Sequence, residues 1–460
     1  YAFKLFPFLF GLSSIYFTYR LGRLFFNSTA GRLAALFTGT SQLYFLYFMD
    51  IHTDTMLQSA VILSLWQLAE YMEHRKPLNF ILGFAGIGLA MLTKGPVGAI
   101  LPFFFILFYL MLKKDFRQLF HIKWLAGIAL IILIISPTLY HLWKSFGVEG
   151  LRFYFIDNNL GRVSGEVAGS STDLFFYTYN LLWAFLPWTL PVIAGLILEV
   201  KSWFTGHKVH LPGASLFGSV LVLLVVYSIA RGKAPNYFMM LMPPMAVIAG
   251  GQIQNLLGVP LISKKRLLWI HGVILSLIMI LLILIWFFIT PLEHPARLIV
   301  LVAVVAILSL LFFRAEHSMY NRIMFVSVIV IASFNLLLNT IILPVLFKYQ
   351  GAPQVIEVYE KTKMPGEELF VFEMEEYELY FYARNLNVVK GWDHLFEVLK
   401  IPGTWIYTNQ IKYNDLVTLE YKFENVYKIE QRGMNEINLN FLLHSTRKQT
   451  LKSNYLVKVR

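Results

Sequence analysis

The chain has 460 residues, of which 57% are hydrophobic and only 14% are charged, and its mean hydropathy is +0.61. Ordinary soluble domains carry about 25% charged residues, so this composition excludes a soluble globular protein and indicates a polytopic α-helical membrane protein. The formal net charge is +12, but the chain from Ala352 onward contains 14 basic and 15 acidic residues. The excess of positive charge therefore lies in the membrane part, and we expect no nucleic-acid partner.

Residues 1–350 are predicted to form a multi-span transmembrane domain. Apolar runs close to the 20 or so residues that cross a bilayer recur about twelve times. Since the chain opens at Tyr1 inside such a run, we interpret its start as truncated. The predicted spans are 3–19, 33–49, 55–71, 78–93, 97–112, 124–142, 174–198, 213–230, 237–258, 267–290, 297–313 and 323–346.

The basic residues of the loops predict the orientation. One set of alternate loops carries sixteen Lys or Arg and the other set seven, and the positive-inside rule places the richer set in the cytoplasm. We therefore expect a multi-pass protein of the cytoplasmic (inner) membrane whose tail lies at the outer, periplasmic face. The poorer, outer set comprises Lys94, Lys144, Arg152, Arg162, Arg231, Lys233 and Arg297.

Lys94 is the single charge in the stretch GIGLAMLTKGPVGAILPFFF. It lies where one span is predicted to reach the outer face, and Gly95 and Pro96 break the helix there. One interpretation is a short hairpin whose lysine extends to the headgroups. The other is an anion-binding lysine, because charges within membranes are costly and often functional.

Further polar residues are predicted to share the outer face with Lys94, although they are distant in sequence. Cations at this depth suit a lipid-linked phosphate, which Arg162 could bind as a planar fork and a lysine as a point charge. Asp54 could act as a base or could orient a cation. The candidate set is Asp50, His52, Asp54, Lys94, Arg162, Arg231, Lys233 and Tyr237; Arg162 lies in the longest predicted outer segment, 143–173.

Each candidate also has a purely structural explanation. Asp50 and Asp54 could be carboxylates favoured at a helix N-terminus, and His52 could be a surface histidine. Arg231 and Lys233 could be ordinary loop charges, and Tyr237 could belong to the aromatic belt at the membrane interface.

Residues 351–460 are predicted to form a small soluble α/β or α+β domain. The stretch APQVIEVYEKTK has apolar residues at helical spacing, whereas GEELFVFEM, GTWIYTNQ, YKFENVYKIEQ, EINLNFLLH and NYLVKVR are typical of strands. No Gly-rich phosphate loop and no cluster of metal-ligating residues stands out there. We expect no cofactor and no metal.

Several segments together resemble a known family. They are DTMLQSAVILSLWQLAEYMEHRKPLNFILGFAGIGLAMLTKGPVGAILP, DNNLGRVSG, WAFLPWTLP and ARGKAPNYFMMLMPPMAV. In order and spacing they are similar to bacterial members of glycosyltransferase family 39. These are GT-C-fold enzymes related to protein O-mannosyltransferases and to the lipid A aminoarabinose transferase.

The resemblance implies a membrane glycosyltransferase. A sugar would leave a polyprenyl-phosphate donor at the outer face, with inversion, and pass to a lipid, glycan or protein acceptor. By this resemblance Asp54 matches an acidic residue that opens a span, and Lys94 matches the lysine of a Thr-Lys-Gly turn. Arg162, Lys233 and Tyr237 match residues of the outer loop and the phosphate-contacting segment, and Arg231 lies beside them.

The chain also departs from the family pattern. The family has one more N-terminal span and a first outer loop, which carries an Asp-Glu pair expected to hold the catalytic base and a Glu-Lys-Pro-Pro segment. Neither is present here, so we expect the principal base to lie outside this chain. A histidine of related enzymes aligns with Asn159, so a divalent metal is not supported.

Two other functions fit the same residues. A polyprenyl-diphosphate glycan polymerase or ligase would use similar spans and outer-face cations. A secondary transporter or flippase would show repeated halves and charges at mid-depth. No convincing repeat is visible, and the polar residues cluster at one predicted face.

Overall fold

The structure, a computed structural model, describes residues 2–48, 50–157, 161, 172–204, 210–257, 261–289, 299, 302–303, 306, 319–374, 376–383, 386–432 and 438–460. Two compact units divide the chain: Tyr1–Ser276 with Leu308–Ala332, and Leu277–Ile307 with Ser333–Arg460. The predicted boundary at 350/351 therefore stays a prediction, and each unit is described by itself.

The membrane part consists of helices. Four stretches in the described residues are long and apolar enough to cross a membrane: Pro77–Leu112, Phe116–Asp157, Leu211–Ile229 and Met324–Phe347. The count of twelve spans stays a prediction, and most of span 297–313 lies outside the described residues. The α-helices before the tail are Ala2–Phe25, Ser28–Gly39, Gln42–Phe48, Thr53–His74, Pro77–Lys94, Ile100–Leu112, Phe116–Leu119, Lys123–Arg152, Phe176–Ala184, Thr189–Phe204, Leu211–Ile229, Met242–Leu257, Leu261–Ile289, Met319–Leu337 and Leu343–Phe347.

Two predicted spans are interrupted, and their interruptions meet. Span 33–49 breaks near Thr40, and span 174–198 breaks at Pro187, which has no N–H to donate. The Gln42 N–H donates to the Leu186 carbonyl at 2.9 Å, and the Trp188 indole N–H donates to the Thr40 hydroxyl at 2.8 Å. The two breaks therefore supply hydrogen-bond partners to each other.

Two short 3₁₀ turns carry or adjoin the residues of the candidate site. A 3₁₀ turn, Gly95–Ala99, follows helix Pro77–Lys94, and a second, Pro235–Leu241, precedes helix Met242–Leu257. Both turns begin at a proline or next to one, which fixes the backbone dihedral φ and omits one donor. The core of the first unit includes the buried Phe238–Leu241 of the second turn.

The second unit contains one mixed five-stranded sheet. Its strands are β1 (Leu369–Phe372), β2 (Asn387–Val389), β3 (Trp405–Asn409), β4 (Phe423–Gln431) and β5 (Lys452–Val459), in the order β2-β1-β3-β5-β4. β1 pairs in parallel with β2 and β3, and β5 pairs antiparallel with β3 and β4. The α-helices of the tail from residue 351 onward are Gly351–Thr362, Tyr377–Tyr382, Trp392–Val398, Gln410–Thr418, Leu439–Leu442 and His444–Arg447.

Two details of the tail differ from the sequence analysis. Strand β2 was not predicted, because three residues are too few to show an alternating pattern. The strand predicted in EINLNFLLH is wrong. Its described residues form the short helix Leu439–Leu442, because the Asn438 side chain accepts from the Phe441 N–H at 2.9 Å and caps the helix.

A buried arginine of the tail contacts the last residue of a long helix, within the second unit. Arg447 is 2% exposed, and its guanidinium donates to the carbonyls of Phe441, Leu442 and Ile289 at 2.7–2.9 Å. Ile289 is the last residue of helix Leu261–Ile289, so a cation stands at the negative end of that helix dipole. Rings of Tyr349 and Phe441 cover the guanidinium.

Candidate functional site

Asp54 and Lys94 meet because they lie at matching ends of two consecutive helices. Asp54 is in the first turn of helix Thr53–His74, and Lys94 is in the last turn of helix Pro77–Lys94. Both positions are favoured by the helix dipole. The Lys94 ammonium donates to Asp54 Oδ1 at 2.5 Å, with the carboxylate side chain 4% exposed and the lysine side chain 18% exposed.

Close helix packing sets this meeting point. A Cβ at Gly86 would stand 3.0 Å from the Ala60 carbonyl and from Ser64, so the two helices pack closely where this glycine lies between them. At the end of the second helix, Gly95 has φ 75° and ψ −158°. This is a conformation that is essentially restricted to glycine, and it turns the chain away directly after Lys94.

A third segment completes the site from a distant part of the sequence. The Asn236 side-chain amide donates to Asp54 Oδ2 at 2.7 Å, across 182 positions in the chain. The next residue, Tyr237, lies with its ring centroid 4.2 Å from the Lys94 ammonium, which is the geometry of a cation–π interaction. Both oxygens of the buried carboxylate therefore accept hydrogen bonds, and the ammonium lies between a carboxylate and a ring.

A series of ring contacts packs against Tyr237. Its ring contacts that of Tyr227, which contacts that of the buried Tyr177, with centroid distances of 5.9 and 5.5 Å. The Tyr177 hydroxyl donates to the Ala234 carbonyl at 3.4 Å. The turn that carries Asn236 and Tyr237 is thereby held against the end of helix Leu211–Ile229.

The other basic residues predicted for the site differ in their surroundings. Lys233 donates to the carbonyls of Ser228 and Ala230 at 2.7 and 2.5 Å and so caps the end of helix Leu211–Ile229. Desolvation lowers the pKa of Lys233, opposed by the charge of Asp173. Arg231 is exposed in the same loop. Arg162 and Asn159 lie outside the described residues.

His52 and Asp50 extend the site outward. His52 Nδ1 lies 3.8 Å from Asp54 Oδ2, and His52 Nε2 lies 3.5 Å from Asp50 Oδ2. Both side chains are about half exposed. They form an open polar margin beside the buried carboxylate. In the part of the chain that the structure describes, no group of three or more His, Asp or Glu could hold a metal ion.

The structure thus brings together Asp54, Lys94 and Tyr237 from the candidate set and adds Asn236, which the sequence analysis did not single out. The available signal was its position directly before Tyr237 in the segment that carries the resemblance. An asparagine there has no distinctive pattern, so only the folded chain shows its partner.

Residues 2–141 match the family model described as dolichyl-phosphate-mannose-protein mannosyltransferase. An uncharacterized protein of Aquifex aeolicus is 32% identical over 172 residues, 37% of each chain. The undecaprenyl phosphate-alpha-4-amino-4-deoxy-L-arabinose arabinosyl transferase of Pseudomonas paraeruginosa is 29% identical over 197 residues, 41% of this chain and 33% of that one. The matching part spans about a third of the length of these curated relatives.

The fold has a solved counterpart. The crystal structure of ArnT from Cupriavidus metallidurans bound to undecaprenyl phosphate aligns with a TM-score of 0.71, over 99% of this chain and 83% of that chain, at 16% identity. The chain is therefore a polytopic helical membrane protein with a GT-C-type fold. The predicted resemblance to GT-C transferases of the O-mannosyltransferase and aminoarabinose transferase type is confirmed.

Proposed function

We propose that this protein is an integral membrane glycosyltransferase that takes a sugar from a polyprenyl-phosphate-linked donor. The reaction would occur at the outer face of the cytoplasmic membrane, and the acceptor would be a hydroxyl of a lipid, a glycan or a protein. The observation that carries the proposal is the meeting of Asp54, Lys94, Asn236 and Tyr237 at one end of the packed helices Thr53–His74 and Pro77–Lys94. The named transferase relative and the GT-C-type fold support the reaction class.

The chemistry requires a fixed cation more than a strong acid. When the acceptor oxygen attacks the anomeric carbon with inversion, the bond to the lipid phosphate breaks and that phosphate leaves as an anion. A preorganised ammonium in a site of low dielectric stabilises this developing charge. Lys94 fits the task because its charge is held at a helix end and only part of its side chain meets solvent.

The geometry favours an orienting role for Asp54 over the role of base. A general base needs an oxygen that can reach the acceptor proton, yet Oδ1 accepts from Lys94 and Oδ2 accepts from Asn236. The carboxylate fixes the direction of the ammonium. The acceptor proton would then go to another carboxylate of the protein.

The direct test offers the protein, in membrane vesicles, a panel of undecaprenyl-phosphate monosaccharides labelled in the sugar. We expect label to leave the lipid monophosphate and to enter vesicle acceptors. A Lys94→Met variant should lower this transfer on the order of 100-fold. The matched control is Lys361→Met, which removes a lysine from an exposed Glu357 pair in the tail and should leave transfer unchanged.

Two results would contradict the proposal. Transfer from diphosphate donors alone would indicate a polymerase or ligase. Movement of intact lipid-linked sugar across the vesicle membrane without transfer would indicate a flippase.

A further inference from the structure

The Asn236 side chain holds the second oxygen of the Asp54 carboxylate. Its amide N–H donates to Asp54 Oδ2 at 2.7 Å, on the carboxylate whose other oxygen accepts from Lys94. Asn236 is the second residue of the 3₁₀ turn Pro235–Leu241. The two hydrogen bonds from Asn236 to Asp54 and from Lys94 to Asp54 thus link that turn to the ends of two membrane helices.

We propose that Asn236 is a positioning residue that directs Lys94 toward the donor phosphate by fixing the Asp54 carboxylate. The inference rests on the proposed function, because it assigns Lys94 to the phosphate. Asn236 contacts neither the phosphate nor the sugar in this proposal. It acts through Asp54, whose rotation it prevents.

Burial explains why the carboxylate needs this second donor. Asp54 is 3% exposed, and a buried carboxylate oxygen without a donor is costly. With Oδ1 bound to Lys94, a free Oδ2 would favour rotation of the carboxylate toward other donors, and His52 Nδ1 is 3.8 Å away on that side. The Asn236 amide supplies the donor from a rigid turn and leaves Oδ1 for the ammonium.

The chemistry of the amide matters as much as its position. An amide donates and is neutral at every pH, whereas an aspartate of the same shape donates only when protonated. Two ionised carboxyls at 2.7 Å repel strongly, so such a pair shares one proton at low pH and loses it as the pH rises. Among the described residues, the other titratable or charged groups around this point are Tyr47, Asp50, His52, Lys94 and the Tyr237 phenol; they are common to wild type and variant.

The test therefore uses the isosteric variant Asn236→Asp. The matched control is Asn387→Asp, because the Asn387 amide donates to the Glu368 carboxylate at 2.9 Å in the exposed tail. That control creates the same pair of carboxyls away from the site. Asn236→Ser, whose short hydroxyl removes the contact without adding charge, serves if the aspartate variant does not fold.

Two readouts are taken on the purified full chain in lipid nanodiscs, at about pH 5.5 and about pH 8. One is binding of undecaprenyl phosphate alone, and the other is the rate at which an amine-reactive ester acylates Lys94 without lipid, followed by mass spectrometry. At the higher pH, Asn236→Asp should bind the lipid phosphate on the order of tenfold more weakly than wild type. Its Lys94 should be acylated several-fold more slowly, because the added carboxylate favours the ammonium form.

At the lower pH, the shared proton restores a donor, and both differences should shrink to within about twofold. Asn387→Asp should match wild type in both readouts and at both pH values. Asn236→Ser should weaken lipid binding by roughly fivefold at both pH values, because the lost hydrogen bond is worth about 1 kcal/mol.

The outcomes separate the two proposals. If wild type binds undecaprenyl phosphate and Asn236→Asp (or Asn236→Ser, if the former is unfolded) matches it in binding and acylation, the positioning role is wrong and the function stands. If wild type does not bind the lipid while the acylation rates change as expected, the proposed function is wrong and the Asn236–Asp54–Lys94 chain stands.

Discussion

At the scale of single residues, the site depends on one ion pair that is more buried than a surface pair. The Asp54 side chain is 4% exposed and the Lys94 side chain 18%, so each charge loses most of its hydration and needs the other. Removing one partner of such a pair is costly, whereas replacing both by neutral groups of similar size is often tolerated. The single and the double variant of this pair therefore differ in stability, so effects on folding can be distinguished from effects on the reaction.

We expect Lys94→Met alone to destabilise the protein by roughly 3–5 kcal/mol, since it leaves Asp54 buried without its cation. The double variant Asp54→Asn with Lys94→Met should recover the stability to within about 1 kcal/mol and yet stay inactive in sugar transfer. Unfolding midpoints in detergent and the transfer assay are measured on the same preparations. An active double variant would show that neither charge takes part in the reaction.

At the scale of elements, the end of helix Pro77–Lys94 decides where the ammonium points. Gly95 holds a φ of 75° with a ψ of −158°, and a Cβ at Gly98 would come within 2.7 Å of the Ala90 backbone. The segment 95–99 therefore needs two glycines for different reasons, Gly95 for its backbone conformation and Gly98 for its close packing on Ala90. The motif is a structural requirement of the site as well as a mark of resemblance.

Gly95→Ala should destabilise the protein by about 1–3 kcal/mol, the cost of a non-glycine residue in that backbone region. It should also lower transfer, because the turn carries Lys94. Gly272→Ala is the control, since no atom lies within 4 Å of the position where its Cβ would stand and its φ is not positive. Thermal unfolding and transfer are measured together. A stable but inactive Gly95→Ala would assign the glycine to function alone.

At the scale of the whole molecule, the predicted membrane orientation is still open to a direct test. The proposed site requires Asp54, Lys94 and Asn236 to lie at the outer face, and the basic loops predict that placement. The chain has no native cysteine, so single cysteine variants report orientation without further changes.

We expect Ser145→Cys and Thr362→Cys to react with a membrane-impermeant maleimide in intact cells. Lys113→Cys should react only after the membrane is opened, because it belongs to the basic loops predicted to be cytoplasmic. Labelling is read by a mass shift on the purified chain. Equal labelling of all three positions would show that the cells are permeable to the reagent, and the reverse pattern would place the site in the cytoplasm.

The sequence by itself determined the features that depend on local composition. The apolar composition indicates a polytopic helical membrane protein, the Gly95–Pro96 pair indicates a break after Lys94, and the strand-like stretches of the tail predicted four strands near their observed positions. Each of these follows from neighbouring residues in the chain.

The tertiary structure alone decided which residues meet. The hydrogen bond from Asn236 to Asp54 spans 182 positions, the interruptions at Thr40 and Pro187 satisfy one another, and the order of the five strands mixes parallel and antiparallel pairs. Such contacts depend on the packing of distant segments, which no local pattern encodes.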